Sequence, residues 1–206
     1  MTRAPDDETT YPPKVQQAIA LARDLGFPLT RADSLDGGPT CSLPGVGRLL
    51  ATLAAACTGG ARIGETGSGA GVGGAWIASA MPADATLLTV EFDERRARAV
   101  QRLFADDDRV TVVHGDANEV IPRTAPFDLL FVDGGLASSD GVIDLVRVGG
   151  QVVVDDVTPT LRLSDAPQYQ TNDAKRALFF GSPRLVSIEV VLPDLENAAF
   201  LATRVG

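Results

Sequence analysis

Residues 61–81 read ARIGETGSGAGVGGAWIASAM, and this stretch decides how the rest of the sequence is interpreted. Its first part, 61–66, is typical of a strand, and residues 72–81 are typical of a helix. Between them lies the glycine-rich run from Gly67 to Gly71, where the backbone can turn tightly and approach a ligand without Cβ clashes. The helix that follows offers unpaired N–H groups in its first turn. The stretch therefore predicts a strand, a glycine-rich loop and a helix that together bind a nucleotide-like cofactor.

The alternation of strands and helices continues after this stretch. Strand patterns follow at 86–92, 109–115, 127–134 and 151–157, with helices predicted near 94–105 and just before the last of these strands. Such alternation is typical of βαβ units, which build a parallel sheet. The C-terminal segment differs, because a helix near residues 173–180 is followed by two strand patterns in direct succession, PRLVSIEVVL and AAFLATRV. We therefore predict an α/β fold whose sheet closes with an antiparallel hairpin.

The N-terminal part lies outside this alternation. Residues 1–13 are polar and bounded by prolines, and we predict a flexible tail there. Apolar residues recur at helical spacing over 15–25 before Gly26 ends the pattern, and residues 45–57 form a second helical pattern that is apolar on more than one face. Because a length of 206 residues suits one domain, we predict a single domain over residues 14–206.

The composition excludes several classes of partner. The chain has 18 Lys and Arg against 27 Asp and Glu, and its net charge of −9 repels phosphate backbones and anionic lipid headgroups. No apolar run reaches the roughly 20 residues that span a bilayer. The N-terminal sequence MTRAPDDETT is too polar for a signal peptide, and the two cysteines are too few for a disulfide framework or a zinc site. We expect a cytoplasmic protein that binds small molecules, with no nucleic acid and no membrane as partner.

Two acidic residues accompany the glycine-rich loop. Glu91 ends the next strand pattern, where a carboxylate can accept hydrogen bonds from both hydroxyls of a ribose. Glu65 precedes the first glycine, a position that favours a ligand's ammonium group and disfavours a pyrophosphate. This difference favours an adenosine that carries an amino acid. The glycines Gly69-x-Gly71-x-x-Gly74 also satisfy the dinucleotide pattern G-x-G-x-x-G, so an NAD(P)-dependent oxidoreductase stays open as an alternative, as does a glycine-rich turn without a ligand.

Several segments together resemble a known family. They are 61–81, 86–96 (TLLTVEFDERR), 110–122 (VTVVHGDANEVIP), 127–135 (FDLLFVDGG) and 149–157 (GGQVVVDDV). In this order they resemble the S-adenosylmethionine-dependent O-methyltransferases of the catechol O-methyltransferase type, and the match extends over residues 40–204. The resemblance implies a doubly wound, Rossmann-like sheet of seven strands, mostly parallel, with an antiparallel C-terminal hairpin strand. It also implies methyl transfer from S-adenosylmethionine to a hydroxyl of a small catechol-like or phenolic acceptor, and a homodimer.

The resemblance assigns cofactor contacts residue by residue. The glycine-rich loop corresponds to the loop under the methionine portion, and Glu91 corresponds to the acid that binds the ribose. Glu65 corresponds to an acid near the methionine amine, and Ser42, in CSLPGVG, to the stretch that borders the methionine end. Gly73 stands where the family commonly has a serine that contacts the methionine carboxylate, so here backbone N–H groups would make that contact. The full implied set is Ser42, Glu65, Gly67, Ser68, Gly71, Gly73, Glu91, the adenine contacts Asp116 and Ala117, and Asp133.

A second group of acidic residues ends the two later strands. Asp133 closes FDLLFVD, and Asp155 and Asp156 close QVVVDD, so we expect all three at one edge of the sheet. Carboxylate oxygens suit Mg²⁺ or Ca²⁺. The resemblance implies that these three aspartates hold a divalent cation. The cation would bind two oxygens of a catechol-like acceptor and lower the pKa of its hydroxyl, and Asp133 is therefore the implied catalytic residue. The alternative is that Asp133 contacts only the cofactor while the pair caps a loop.

The sequence also departs from the family. Where the family has a lysine general base shortly after the strand-end acid, this chain has Leu136, so a cofactor-binding protein without catalysis stays open. The loops 134–140 and 157–172 are expected to shape the acceptor pocket. His114 receives no catalytic role, because a lone strand-end histidine is typically structural. Thr66 replaces the apolar residue that the family usually has between the acid and the first glycine, and the sequence does not explain this replacement. A run of basic residues is interpreted as a solvated helix face: Arg95, Arg96, Arg98 and Arg102.

Overall fold

The computed structural model describes residues 7–30, 33, 40–42, 44–134, 136, 140–163, 173–192 and 197–206. Its helices are α1 (Pro13–Leu25), α2 (Pro44–Ala56), α3 (Val72–Ala80), α4 (Glu94–Leu103), α5 (Ala117–Thr124) and α6 (Asp173–Gly181). Its strands are β1 (Arg62–Thr66), β2 (Thr86–Glu91), β3 (Val110–His114), β4 (Phe127–Val132), β5 (Val146–Val157), β6 (Leu185–Val191) and β7 (Ala198–Arg204). Short 3-10 helices occupy Glu8–Thr10, Asp140–Leu145 and Thr160–Arg162.

The strands form one seven-stranded sheet in the order β3-β2-β1-β4-β5-β7-β6. Neighbouring strands from β3 to β5 pair in parallel, whereas β7 runs antiparallel to both β5 and β6. The predicted fold, a mostly parallel sheet that closes with an antiparallel hairpin, is therefore confirmed. From β1 the sheet extends to one side through β2 and β3 and to the other side through β4 and β5, so the strand order reverses between β1 and β4. Open α/β sheets bind ligands at the carboxyl ends of the strands beside such a switch point.

Two apolar clusters cover the two faces of the sheet. Buried residues of α1, α2, α3 and α4 form one cluster with one face, and those of α5, α6 and the 3-10 helix Asp140–Leu145 form the other. Leu130 and Phe131 are consecutive on β4 yet belong to different clusters, because successive strand side chains point to opposite faces. Among the helices of the described chain, none combines the length and the apolar character needed to cross a bilayer.

The N-terminal elements pack on α3 and reach the carboxyl edge of the sheet. Tyr11 is buried, its ring centroid lies 5.1 Å from that of Trp76, and the Arg48 guanidinium lies over both rings. Residues 1–6 of the predicted flexible tail lie outside the described residues, whereas Tyr11 belongs to the core. After α1, Gly26 adopts a left-handed conformation that ends the helix, and Phe27 follows beside the glycine-rich loop.

The structure contains elements that the sequence patterns did not predict. Helix α5 was not predicted; it begins at Ala117, directly after Asp116, whose side chain caps the helix by accepting the N–H of Asn118. Pro122 lies within this helix, and a proline inside a helical pattern argues against a helix. The short helix predicted before β5 is present as the 3-10 helix Asp140–Leu145, whereas β5 itself begins at Val146, earlier than predicted.

Candidate functional site

The glycine-rich loop connects β1 to α3 at the carboxyl edge of the sheet. Gly67 has a φ of +77°, and a Cβ at this residue would lie 2.2 Å from the carbonyl oxygen of Asp133, so only glycine fits. The N–H groups of Gly67 and Ser68 donate to the carbonyl oxygen of Val90 at 2.9 and 3.1 Å. Gly71, also left-handed, is the residue at which α3 begins. The loop is therefore fixed between the ends of β2 and β4, with the N-terminus of α3 beside it.

A cavity of about 400 Å³ lies beside this loop. Its volume falls in the range of small-molecule sites, and its walls combine glycine backbone, carboxylates and aromatic rings, which together suit a nucleoside. The lining residues are Phe27, Thr40, Gly67, Gly69, Val90, Glu91, Phe92, Arg96, Gly115, Asp116, Ala117, Asn118, Asp133 and Gly134.

Glu91, at the end of β2, is buried and held by several N–H donors. Its Oε2 accepts the N–H of Gly69 at 2.8 Å, and its Oε1 accepts the N–H of Asp93 at 2.9 Å. The Arg96 guanidinium donates to the same Oε1 from Nη2 at 2.7 Å and from Nε at 3.0 Å. These donors fix the orientation of the carboxylate toward the glycine-rich loop.

Glu65, at the end of β1, lies beneath the first turn of α3. It is 1% exposed, its Oε2 accepts the Thr89 hydroxyl at 2.5 Å, and that hydroxyl lies 2.6 Å from Ser68 Oγ. Burial raises the pKa of Glu65 to about 7, and the charge of Glu91 acts in the same direction, while hydrogen bonds from Thr89 and the Gly74 backbone oppose the shift. Glu65 is not among the residues that line the 400 Å³ cavity.

The space above Glu65 explains the glycine at position 73. A Cβ on Gly73 would lie 2.4 Å from Glu65 Oε1 and 3.0 Å from Ser42 Oγ. The serine expected here from the family resemblance would therefore collide with the buried carboxylate. The Ser42 side chain approaches this point from the N-terminal segment, and the residue is buried.

Thr66 joins the ends of β1 and β4. Its hydroxyl donates to the carbonyl oxygen of Gly134 at 2.9 Å and accepts the N–H of Asp133 at 3.1 Å. These bonds hold Asp133 in place directly after β4. Thr66 thus has a structural role that an apolar residue could not fill, and the sequence patterns did not reveal it.

Asp116 and Ala117 line the cavity at the start of α5. The carboxylate of Asp116 accepts the backbone N–H and the side-chain amide of Asn118, both at 2.8 Å, so the turn before α5 is well fixed. His114, which precedes this turn, makes a contact of 3.1 Å between Nε2 and the carbonyl oxygen of Phe92.

The three aspartates predicted to hold a cation are electrostatic neighbours at the ends of β4 and β5. Burial raises the pKa of Asp133 well above its usual value, and the charges of Asp155, Asp156 and Glu65 raise it further, whereas Lys175 on α6 opposes the shift. Asp155 is buried, and its Oδ1 accepts the N–H of Asp156 at 2.7 Å. Asp156 is exposed and has a φ of +58°, which is uncommon outside glycine.

This arrangement does not fit a ready metal site. Within the residues that the structure describes, no group of three or more His, Cys, Asp or Glu side chains is arranged to hold a metal ion. Asp155 turns one oxygen toward the backbone N–H of Asp156, and Asp156 is exposed and has a left-handed backbone. The predicted cation at Asp133, Asp155 and Asp156 gains no support from the structure.

The cavity brings together only part of the predicted site. It includes Gly67, Glu91, Asp116, Ala117 and Asp133 but not the other predicted contacts, which are Ser42, Glu65, Ser68, Gly71 and Gly73. Leu136 is half-buried and packs against the apolar cluster beneath β4 and β5. Residues 135, 137–139 and 164–172 of the predicted acceptor loops lie outside the described residues.

Sequence reasoning missed several lining residues, among them Phe27, Phe92 and Arg96. Phe27 arrives from the N-terminal segment, and Phe92 is 77% exposed directly after Glu91. Arg96 was interpreted as part of a solvated helix face, and that interpretation is wrong, because its guanidinium is paired with Glu91. Arg96 lies five residues after this strand-end acid, in the first turn of α4, and that spacing alone does not reveal the pair, which depends on how α4 is placed beside β2.

Comparison with known proteins identifies the family. Residues 65–157 match a family model described as a methyltransferase domain. A protein of Mycobacteroides abscessus named "Putative O-methyltransferase" is 35% identical over an alignment that covers 71% of this chain and 69% of that protein. A Mycobacterium sp. (strain JLS) protein of the same name is 30% identical over 97% of this chain and 98% of its own length.

Solved structures have the same fold. The O-methyltransferase TomG from Streptomyces achromogenes, in complex with S-adenosylmethionine, is 25% identical, has a TM-score of 0.73, and covers 96% of this chain and 92% of its own. The Bacillus cereus O-methyltransferase in complex with S-adenosylhomocysteine has a TM-score of 0.73 at 20% identity, over 98% and 93% of the two chains. These relatives favour the methyltransferase interpretation over the NAD(P)-dependent alternative. The chain belongs to the family of S-adenosylmethionine-dependent O-methyltransferases.

Proposed function

We propose that this methyltransferase transfers the methyl group of S-adenosylmethionine to a hydroxyl of a small phenolic or catechol-like acceptor bound beside Asp133. The observation that carries the proposal is that one cavity extends from Glu91, at the end of β2, to Asp133, at the end of β4. A cofactor held by the first residue places its reactive end toward the second. The acceptor class itself comes from the family resemblance.

The cofactor contacts follow from the positions of the groups around the cavity. Glu91 accepts a ribose hydroxyl, and the turn at Asp116 and Ala117 borders the adenine. The methionine portion lies along the glycine-rich loop toward the N-terminus of α3, where backbone N–H groups favour its carboxylate. Its ammonium group lies toward Glu65 and Ser42, and a positive charge there favours the ionised form of Glu65.

The chemistry at Asp133 is a displacement in which one bond forms as another breaks. The acceptor oxygen attacks the methyl carbon, the bond from that carbon to the sulfonium sulfur breaks, and the hydroxyl proton passes to the Asp133 carboxylate. The raised pKa of Asp133 makes its carboxylate a stronger base than an exposed aspartate, which supports this role. Most of the rate would come from alignment of the two reactants in a site that excludes water.

A divalent cation at Asp133, Asp155 and Asp156 stays a prediction of the family resemblance, and no step above depends on it. Mg²⁺ bound there would supply a Lewis acid that lowers the hydroxyl pKa of the acceptor. That prediction requires turnover to disappear on chelation and to return with added Mg²⁺. The homodimer and the cytoplasmic location likewise stay predictions, which size-exclusion chromatography and fractionation test.

The test of the proposed function combines binding with turnover. Calorimetric titration with S-adenosylhomocysteine is expected to show one site per chain, with NAD as the control that does not bind. Release of S-adenosylhomocysteine from S-adenosylmethionine is then followed with catechol, a monophenol and an aliphatic alcohol. Turnover with catechol or the phenol supports the proposal. Binding without turnover on either would instead identify a protein that has kept its cofactor site and lost catalysis.

A further inference from the structure

Helix α6 places its first turn at the carboxyl edge of the sheet. Strands β5 and β6 both run antiparallel to β7, so they point the same way, and α6, which lies between them in the chain, begins at the edge where β5 ends. Arg176 fixes this end of the helix, because its Nη2 donates to the carbonyl oxygen of Thr158 at 2.9 Å and its Nη1 donates to Thr160 Oγ1 at 2.6 Å. Its guanidinium is also paired with Glu189. The first turn of α6 is therefore held beside the end of β5.

Lys175 lies in this turn, on the side of the helix that faces the protein. Residues four apart share a face of a helix, and Phe179, four residues after Lys175, is 1% exposed and packs against Phe200 with ring centroids 5.8 Å apart. Lys175 itself is partly buried. Its charge reaches Asp133, where it opposes the rise in pKa that burial and the neighbouring carboxyl groups cause. The side chain therefore lies toward the end of the cavity at Asp133.

The positive charge of Lys175 has no paired anion. Within the residues that the structure describes, its ammonium takes part in no hydrogen bond or ion pair. The chain has one other lysine, Lys14, which is paired with Asp106 at 2.6 Å. A cation in the first turn of a helix also lies against the positive end of the helix dipole, which disfavours it there. The stability of α6 therefore does not explain this lysine, whereas a negatively charged ligand would.

A ligand beside Asp133 otherwise meets mostly negative charge. Three neighbouring carboxyl groups act on Asp133, so this end of the cavity disfavours an anionic ligand unless a cation accompanies it. Arg96 also lines the cavity, but its guanidinium is paired with Glu91. Lys175 is not paired with Asp133, so an acceptor whose hydroxyl lies at Asp133 meets the ammonium with another part of the molecule.

We propose that Lys175 is a specificity-determining residue whose ammonium binds a negatively charged substituent of the acceptor, so that the substrate class is a phenol or catechol that carries a carboxylate. The proposal rests on the proposed function, because it requires an acceptor bound beside Asp133. Arg176 serves it indirectly, by holding the first turn of α6 at the strand ends. An ammonium bonded to a carboxylate forms a charge-assisted hydrogen bond, which a neutral ring cannot offer.

The experiment measures calorimetric dissociation constants of three acceptors for the complex of the full chain with S-adenosylhomocysteine, which needs no turnover. The acceptors are protocatechuate, catechol and dopamine, which share the catechol ring and carry a carboxylate, no charge and an ammonium group. In the wild type, protocatechuate is expected to bind about tenfold more tightly than either of the others. Lys175→Ala is expected to weaken protocatechuate by about tenfold and to leave catechol within about threefold, and Lys175→Arg is expected to recover most of the loss.

Lys14→Ala is the matched control, because it removes the other lysine of the chain, which is bonded to Asp106 and to the carbonyl oxygen of Leu103 at the end of α4. It is expected to bind all three acceptors like the wild type. Equal binding of protocatechuate and catechol in the wild type would overturn the proposal. A Lys175→Ala protein that binds protocatechuate like Lys14→Ala would do the same, and the ammonium would then only offset the neighbouring carboxyl groups.

Two further outcomes separate this proposal from the proposed function. Binding of protocatechuate that depends on Lys175, without methyl transfer to it, would support the acceptor class and contradict the transfer. Binding of S-adenosylhomocysteine without binding of any of the three acceptors would overturn the proposal and leave only the cofactor site. If S-adenosylhomocysteine itself does not bind, the proposed function fails, and the acceptor class fails with it.

Discussion

Glu91 and Asp133 are both carboxylates at strand ends, on either side of β1, and they line the same cavity, yet their surroundings are opposite. Glu91 accepts hydrogen bonds from backbone N–H groups and a guanidinium, which hold its carboxylate in place. Asp133 lies among the carboxylates of Asp155, Asp156 and Glu65, which together with burial raise its pKa. Partners rather than residue type therefore separate the two: one site is suited to hold a polar ligand, and the other to exchange a proton.

The largest effect is expected when Asp133 can no longer accept a proton. Asp133→Asn keeps the shape of the side chain but removes its capacity to accept a proton, and we expect the turnover rate at saturating cofactor to fall by about 100-fold or more. Asp84→Asn is the matched control, because that residue is exposed, precedes β2 and does not line the cavity, and we expect a change within about threefold. Initial rates with the best acceptor of the panel measure both. An Asp133→Asn enzyme with near-normal turnover would remove Asp133 from the chemistry.

A smaller effect tests how tightly the binding side is packed. Gly73→Ser restores the serine of the resembling family, but its Cβ would lie 2.4 Å from Glu65 Oε1, so we expect a loss of about 1–3 kcal/mol in the free energy of unfolding. Gly181→Ser, at the end of α6, meets no atom within 4 Å and serves as the control. Urea denaturation compares the two. A Gly73→Ser protein as stable as the control would show that the space above Glu65 is not filled.

The smallest expected effect is a dependence of the free energy of unfolding on pH, which arises from the buried carboxyl group of Glu65. Glu65 has a folded pKa of about 7, above its usual 4.5, so the folded state retains a proton that the unfolded state has lost. Its contribution to stability is complete below the unfolded pKa and disappears as the pH rises through about 7. The slope is at most about 1.4 kcal/mol per pH unit.

Glu65→Gln keeps the acceptor for Thr89 and removes the titration. We expect its free energy of unfolding, without cofactor, to depend less on pH than that of the wild type between about pH 5 and about pH 8. Asp133 titrates in the same direction in both proteins, but the charge of Glu65 contributes to its raised pKa, so the difference between the two curves reports Glu65 together with its coupling to Asp133. Parallel curves would show that Glu65 is ionised in the folded state throughout this range.

The backbone of the site was predictable because it depends on local patterns. Glycines between a strand and a helix, and acids at strand ends, have direct meaning in a parallel sheet. Helix α5 was missed because Pro122 weakens the helical pattern, although Asp116 and Glu119 at its start are the residue types that favour a helix N-terminus.

The partners of the site's side chains could not be predicted from the sequence. Arg96 reaches Glu91 from the next helix, and Phe27 reaches Arg96 from a segment far earlier in the chain. Thr66 bonds to groups at the end of β4, which the topology alone brings beside it. Asp155 accepts the N–H of Asp156, whose backbone is left-handed, and no residue pattern specified that conformation. Each case depends on tertiary placement, which local patterns do not encode.

The most direct test of the contrast between the two carboxylates is calorimetric titration of Glu91→Gln and Asp133→Asn with S-adenosylhomocysteine, which needs no acceptor. Glu91→Gln removes the charge that faces the ribose and leaves Arg96 without its partner, so we predict a dissociation constant at least about tenfold above that of the wild type. Asp133→Asn is predicted to stay within about threefold. Equal weakening in both variants, or weakening in Asp133→Asn alone, would contradict the division of the cavity into a binding side and a reacting side.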